Sequence, residues 1–203
     1  MKAFERVQVE SRAELRAWLE ANHTRTESVW LVTYKKHVPE KYISWDEVVE
    51  EALCFGWIDS LPRKLDAERS MLLLSPRRAG SPWSRLNKQR VAKLQEAGLI
   101  MPSGLATIEQ AKADGSWTLY DEIEELVIPD DLAQALKADQ VAAENFYAFS
   151  DSSKKGILWW LKSAKTPATR QKRIAEIVRY ARHNLRASFP EARAFDRQQG
   201  RAK

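Results

Sequence analysis

The hydrophobic positions in the first 80 residues predict short strands mixed with capped helices. The segment SVWLVTYKK is rich in β-branched and aromatic residues on both faces and predicts a central strand that is covered on both sides. Capping-box signals at Ser11 and Ser44 each precede an apolar stripe at helical spacing. The runs WIDSLPRKL and RSMLLLS flank a short polar turn and predict a hairpin, in which Pro62 must occupy an edge strand or a bulge.

From Ser84 onward, almost every segment has helical periodicity. The pattern predicts two helices that end at Gly98 and Gly115, then an acidic linker, DEIEELVIPDD, and three or four further helices. Pro129 is expected to be the first helical residue after the linker. The whole pattern indicates an α+β fold: a small antiparallel sheet with flanking helices, followed by a C-terminal helical module.

Composition narrows the class of protein. The chain has 203 residues, 44% hydrophobic and 30% charged, which is typical of a soluble globular protein and argues against disorder. Its single cysteine, Cys54, excludes an intrachain disulfide and a cysteine-based metal site, and its apolar neighbours indicate a core residue. The longest apolar runs are too short to cross a bilayer, and the first residues do not resemble a signal peptide. We therefore expect a cytoplasmic protein without membrane insertion.

Charge is distributed unevenly along the chain. Residues 152–203 contain 14 Lys and Arg against 3 Asp and Glu, whereas residues 1–151 contain 19 against 25. A basic face interleaved with an aromatic ring is a candidate surface for nucleic acid or an acidic protein. About five phosphate contacts would give a log–log salt slope near −4.5. The alternative is that the acidic part of the chain docks against the basic part. The candidate polyanion-binding residues are Lys155, Trp159, Lys162, Lys165, Arg170, Lys172, Arg173, Arg179, Arg182 and Arg186.

Polar and aromatic residues of unusual density lie between Ser44 and Asn87. An aliphatic core does not need an acid, a double arginine, several hydroxyls and an amide, but a concave ligand pocket does. We interpret Arg77 as the group that holds an anion, Asp59 and Asn87 as groups that orient it, and the tryptophans as apolar walls. The candidate ligand-binding residues are Lys36, Trp57, Asp59, Arg77, Ser81, Trp83, Ser84 and Asn87.

Alternatives to this pocket remain open at the level of sequence. Asp59 could pair with Arg63 or Arg77 to hold the hairpin, and Ser84 could be an ordinary helix cap followed by solvated arginines. Asp59 could also act as the general base of an enzyme. The three histidines have no metal-like spacing, and no Gly-x-Ser-x-Gly motif is present. We therefore predict no metal, no cofactor and no catalytic residue, and favour a binding protein over an enzyme.

Two blocks of sequence carry a family resemblance. The first contains ALCFGWIDS, SPWS, Asn87, Gly98, Gly104 and Trp117, and the second contains IPDDLAQAL, Ser150 after a Phe, and WWLKSAKTPATRQKRI. Together they resemble the YdeI or OmpD-associated family, also called bacteriocin-protection proteins. The resemblance implies a stress-related protein with a small C-terminal helical module, and no defined reaction. We expect an α+β domain over residues 1–118, an OmpD-associated-type module over 128–188 and a polar tail over 189–203.

Overall fold

Two compact units make up the protein, the first ending at Leu119 and the second beginning at Tyr120. The structure is a computed structural model and describes residues 4–200. The first unit combines a sheet with helices and the second contains helices, which confirms the predicted α+β class with a C-terminal helical region. In the described residues, no helix has both the length and the apolar character needed to cross a bilayer.

The sheet of the first unit is mixed and not wholly antiparallel as expected. Its strands are β1 (Arg6–Gln8), β2 (Val29–Tyr34), β3 (Trp57–Lys64) and β4 (Arg69–Pro76), in the order β1-β2-β4-β3. β1 pairs in parallel with β2, whereas β4 is antiparallel to both of its neighbours. Parallel neighbours need a long crossover connection, and helix α1 (Arg12–Asn22) supplies it between β1 and β2.

The predicted hairpin is confirmed. β3 is an edge strand, and its register against β4 shifts between Asp59 and Pro62. Proline has no amide hydrogen to donate to a ladder, so it is tolerated at an edge strand with such an irregularity. Both conditions expected for Pro62 are therefore met.

The first unit has three more α-helices: α2 (Trp45–Cys54) lies between β2 and β3, and α3 (Arg85–Glu96) and α4 (Pro102–Ala113) follow β4. Ser11 and Ser44 cap α1 and α2 as predicted, and Ser44 forms a full capping box with Glu47. The core of this unit contains apolar side chains of α1, α2 and the sheet, together with Cys54, whose expected core position is confirmed. Burial raises the pKa of the Cys54 thiol.

Two close contacts fix α2 within the first unit. Glu51 on α2 is buried, and its carboxylate accepts hydrogen bonds from Arg12 at 2.7 Å and Arg16 at 2.9 Å, both on α1. A buried carboxylate needs such partners because an unpaired one is costly. On the other side, a Cβ at Gly104 of α4 would lie 2.2 Å from the carbonyl oxygen of Cys54. Only glycine allows this approach of α4 to the end of α2.

The second unit consists of short helices around its own core. They are α5 (Asp121–Glu124), α6 (Asp130–Lys137), α7 (Gln140–Ala148), α8 (Asp151–Lys162), α9 (Pro167–Arg182) and α10 (Pro190–Gln198). The largest fully buried side chains of this core are those of Leu132, Leu136, Phe146 and Ile157.

Sequence and structure differ at both ends of the second unit. The segment expected to be an acidic linker forms α5, because Ile123 is buried in the core and anchors it. Pro129 occupies the N-cap position of α6 and is not its first helical residue. The segment expected to be a polar tail contains α10, where Ala192 is buried and the ring of Phe195 packs on Tyr180.

Candidate functional site

Arg77 lies at the open end of the hairpin, directly after β4. Its backbone amide donates to the carbonyl oxygen of Gly56 at 2.9 Å, which fixes the chain as it leaves the sheet. One nitrogen of its guanidinium, Nη2, donates to the carbonyl oxygen of Pro82 at 2.5 Å. The group also lies over the ring of Trp83, 3.6 Å from the ring centroid, so its position is held from two sides.

The remaining donors of Arg77 are buried and unused. Nε and Nη1 have no hydrogen-bond acceptor among residues 4–200. Burial lowers the pKa of Arg77 to about 10, and the negative charge of Asp59 opposes part of this effect. Arg77 is still charged at neutral pH. A half-buried cation with two buried and unused donors is unfavourable by itself and becomes favourable when an acceptor is bound.

A cavity of about 310 Å³ adjoins Arg77. Its walls are the loop from Arg77 to Ala79, the ring of Trp83 and one face of α4 that includes Thr107, Gln110 and Asp114. The carboxylate of Asp114 accepts from the backbone amides of Ser116 at 2.9 Å and Gly80 at 3.1 Å. The hydrogen bond with Ser116 is the main cause that lowers the pKa of Asp114. The Asp114 carboxylate therefore stabilises the backbone of the loop that forms one wall of the cavity.

Two lysines lie near the aromatic neighbour of Trp83. The Trp83 ring packs on Trp117 with ring centroids 4.9 Å apart. The ammonium groups of Lys88 and Lys112 lie 5.6 Å and 5.4 Å from the centroid of the Trp117 ring. Cations stacked on an aromatic pair beside the Arg77 cavity favour an anionic occupant.

Trp57 is a core residue at the same end of the hairpin. It is paired in register with Pro76, the residue before Arg77, and its side chain is fully buried. Its ring packs edge-on against Trp18 with centroids 5.8 Å apart. Its indole Nε1 has no acceptor within the described part of the chain. Trp57 and Arg77 thus place three unused buried donors at one end of the hairpin.

Asp59, Ser84 and Asn87 belong to a second, connected network. The carboxylate of Asp59 accepts from the indole Nε1 of Trp45 at 3.1 Å. The guanidinium of Arg90 lies over the Trp45 ring at 5.1 Å and donates to Asn87 Oδ1 at 3.0 Å. Ser84 caps α3 by accepting from the amide of Asn87 at 3.3 Å. The structure therefore connects these three predicted residues through Trp45 and Arg90.

Trp45 and Arg90 were not predicted as site residues. Trp45 is the first residue of α2 and is 51% exposed, whereas Arg90 on α3 is buried and pairs with Asp46. The available signal was the spacing of three residues between Asn87 and Arg90, which places both on one face of α3. The approach of α2 to α3 is a tertiary contact that helical periodicity does not reveal.

Two predicted residues lie away from the Arg77 cavity. Ser81 is half-buried, and its amide donates to the carbonyl oxygen of Arg78 within the loop. Lys36 is exposed after β2 and lines a different cavity, on the sheet. The structure thus brings Arg77 and Trp83 together at one cavity, with Trp57 at the same end of the hairpin. No group of three or more metal-ligating side chains occurs in residues 4–200.

Most of the candidate polyanion-binding residues of the second unit are paired with carboxylates. The ion pairs are Lys155–Glu124 at 2.6 Å, Lys162–Glu122 at 2.8 Å, Arg170–Asp131 at 2.6 Å, Arg179–Asp196 at 2.9 Å, Arg182–Asp139 at 3.6 Å and Arg186–Glu191. Arg173 donates to the carbonyl oxygen of Trp160 and to Ser163 Oγ, and Trp159 packs on Tyr120. Lys165 and Lys172 are exposed and have no ion pair with a described residue.

Comparison with known families divides the chain at nearly the same place as the fold. Residues 125–184 match the model of the family described as Bacteriocin-protection, YdeI or OmpD-Associated. The second unit therefore contains the part of the chain that matches this family. Residues 7–107 match a separate model, a domain of unknown function, DUF8412, and this range contains the first block of the predicted resemblance apart from Trp117. The first block therefore matches a different family model from the second block. No curated protein and no solved structure matches the chain.

The second unit is larger than the OmpD-associated module that it contains. The matched range begins after α5 and ends just after α9. Ile123 of α5 and Ala192 of α10 lie outside this range, yet both are buried in the core of the unit. The ion pairs of Lys155, Lys162, Arg179 and Arg186 use acids from these flanking segments. The neighbouring segments therefore neutralise part of the basic surface of the module.

Proposed function

We propose that the first unit binds a small anionic ligand, a carboxylate or a phosphate, at Arg77. The observation that carries the proposal is the pair of buried guanidinium donors, Nε and Nη1, that have no acceptor among the described residues. Each of these donors has a fixed direction in the planar guanidinium group, and its hydrogen bond to a carboxylate or phosphate oxygen is strengthened by charge. The bound anion would pair with the charge of Arg77 and accept a hydrogen bond from at least one of these donors.

The surroundings of Arg77 support an anion over a cation. The cavity of about 310 Å³ is large enough for a small molecule, at the lower end of the usual range of ligand sites. Its carboxylate, Asp114, is engaged by backbone amides. The Trp83 ring holds the guanidinium in place, so the site is organised before the ligand arrives.

We assign Asp59 and Asn87 an indirect role in this proposal. Their side-chain oxygens accept from Trp45 and Arg90, so they are occupied within the protein. The charge of Asp59 stabilises the protonated form of Arg77 from a distance. Asp59 therefore serves to keep Arg77 charged, and the ligand contacts Arg77 itself.

The family description suggests the biological setting. We propose that ligand binding by the first unit supports a protective, stress-related role of the kind that gives the bacteriocin-protection family its name. We also propose a cytoplasmic location, which is consistent with a single free cysteine. The proposal requires no cofactor.

The test is a set of binding measurements on the full chain. Isothermal titration calorimetry with inorganic phosphate, acetate and citrate at constant ionic strength should show saturable binding of at least one anion. Arg77→Met should weaken that binding by about 30-fold or more, because truncating a buried charged partner costs about 2–5 kcal/mol. Arg77→Lys should weaken it by about tenfold, because a lysine keeps the charge and loses the planar, fixed N–H donors of the guanidinium.

Arg78→Gln is the matched control for net charge. Arg78 is exposed and lines the same cavity, so its loss should change the affinity by less than about fivefold. Equal losses of anion affinity in Arg77→Met and Arg78→Gln would show that only the net charge of the protein matters. That result would contradict the proposal. The absence of saturable binding for all three anions would also contradict it.

A further inference from the structure

A second cavity, of about 300 Å³, lies on the helix-facing side of the sheet. It is bounded by β2 and β4 below and by the start of α2 above, and it has no lining residue in common with the Arg77 cavity. Its floor includes Leu31 and Leu72, which are partners in the register of β2 and β4. Neither the proposed function nor the family match assigns a role to this cavity.

The walls of this cavity are mainly apolar and aromatic. Val48 and Ile43 are buried against it, and Tyr42 and Trp45 lie at its edge. Tyr42 is 40% exposed and Trp45 is 51% exposed, which is high for such large apolar side chains. Aromatic rings that border a cavity while still accessible to solvent are typical walls of a small-molecule site.

Two hydroxyl groups are available inside the cavity. Thr33 and Ser70 are partners in the register of β2 and β4, so their side chains lie on the same face of the sheet. Neither hydroxyl makes a hydrogen bond with another residue in the described range 4–200, and Thr33 is nearly buried. These hydroxyls would hydrogen-bond the polar end of a bound molecule.

The charges at the cavity have one sign. Lys35 and Lys36 line it, and no carboxylate of the described residues does. The ammonium group of Lys35 is held by the carbonyl oxygens of Asp66 at 2.6 Å and Ala67 at 2.8 Å. Lys36 is exposed and has neither a hydrogen bond nor an ion pair within residues 4–200. Its charge is therefore available to a ligand.

We infer that this cavity is a binding site for a small apolar carboxylic acid. The apolar or aromatic body of the acid lies against Leu72, Tyr42 and Trp45, and its carboxylate is bound by Lys36 and the hydroxyls of Thr33 and Ser70. An apolar space with a lysine at its edge favours this class over inorganic phosphate, which has no apolar part to bury, and over a cation.

The test uses phenylacetate as the probe and phenylacetamide as its uncharged match. In ¹H–¹⁵N spectra of the full chain, phenylacetate should shift the indole signal of Trp45 and the amide signals of Thr33 and Ser70 in a saturable way. Phenylacetamide should bind about threefold to fivefold more weakly, as expected for the loss of one exposed ion pair. Acetate, which lacks the apolar body, should not shift these signals at the same concentration.

Lys36→Gln should reduce the affinity for phenylacetate to that for phenylacetamide, whereas Lys93→Gln, an exposed lysine on α3 outside the cavity, should have no effect. Ser70→Leu, which fills the cavity, should abolish the shifts, and its folding is checked by its spectrum. Arg77→Met should leave them unchanged, which separates this site from the proposed anion site. Equal affinity for acid and amide, shifts confined to residues beside Arg77, or no saturable shift would overturn the inference.

Discussion

Arg77 in the first unit and Arg170 in the second show two opposite uses of a partly buried arginine. The fork of Arg170 is complete: its Nε and Nη2 donate to the two oxygens of Asp131 at 2.6 Å and 2.8 Å. Arg77 has one carbonyl partner and a tryptophan ring, and its Nε and Nη1 have no acceptor in residues 4–200. The first arrangement stabilises a fold by itself, whereas the second is favourable only with a bound partner.

Pairing with carboxylates, and not the density of charge along the sequence, decides which cations are available to a ligand. The basic segment from residue 152 onward is the more conspicuous feature of the sequence. In the structure, four acids of the second unit, Glu122, Glu124, Asp131 and Asp139, precede that segment and pair with its lysines and arginines. This is the docking of acidic on basic residues that the sequence left open as an alternative.

The largest expected effect concerns the helix that forms one wall of the Arg77 cavity. Gly104→Ala on α4 should lower the free energy of unfolding by about 3 kcal/mol or more, because the new Cβ would lie 2.2 Å from the backbone oxygen of Cys54 and backbone cannot easily move. Gly156→Ala on α8 of the second unit is the matched control. Its Cβ would meet only the ring of Phe189 at 3.1 Å, and alanine improves helix propensity, so the change should stay within about 1 kcal/mol.

Urea unfolding of the two variants measures this difference. Equal losses would contradict the account of α4 as a wall fixed by backbone contact.

The next effect concerns nucleic acid. Because six of the nine candidate cations are already paired, Lys165 and Lys172 are the ones expected to contact phosphates, and two contacts on duplex DNA give a log–log salt slope of about −1.8. Fluorescence anisotropy with a labelled duplex at several salt concentrations measures the slope. A slope of about −4.5 or steeper would show that the ion pairs open on binding. It would contradict the conclusion that the paired cations of the second unit are unavailable to a ligand.

The smallest effect is the loss of stability of the second unit in acid, through its Arg170–Asp131 ion pair. The hydrogen bond with Arg170 lowers the pKa of Asp131 below its usual 3.8, so the unfolded chain binds more protons than the folded one as the pH falls through this range. The stabilisation by this pair is therefore present at neutral pH and is lost on acidification below about pH 4. Asp131→Asn should cost at most about 1 kcal/mol at pH 7 and less at pH 3.

Asp130→Asn is the control for this prediction, since Asp130 lies beside Asp131 in the first turn of α6 and is exposed. Urea unfolding at both pH values compares the variants. An equal cost for Asp131→Asn at pH 7 and pH 3 would contradict the role of the pair.

Local signals in the sequence were sufficient for much of the fold. The caps at Ser11, Ser44 and Ser84, the hairpin and the irregular edge at Pro62 follow from interactions between residues close in the chain. The parallel pairing of β1 was missed because the order of strands depends on a tertiary choice. Helix α5 was missed because it is short and acidic, and the burial of Ile123 that anchors it is a tertiary contact.

The site was predictable in its residue types and less so in its connections. Arg77 and Trp83 are six residues apart and meet across a short loop, so sequence proximity was a useful guide. Asp59 was grouped with them for the same reason, but its carboxylate on β3 accepts a hydrogen bond from Trp45 of helix α2. Which acceptor a donor finds is decided by packing between elements, and this information is absent from local patterns.

The central claim is that Arg77 is kept charged and incompletely paired for a ligand. The most direct test compares the free energies of unfolding of Arg77→Met and Arg170→Met in urea, in a buffer without phosphate or carboxylates. Arg77→Met should be unchanged or up to about 1 kcal/mol more stable, since methionine removes buried donors without acceptors, whereas Arg170→Met should lose up to about 1 kcal/mol. A loss of about 2 kcal/mol or more in Arg77→Met would show that Arg77 is a structural clamp and would contradict the account.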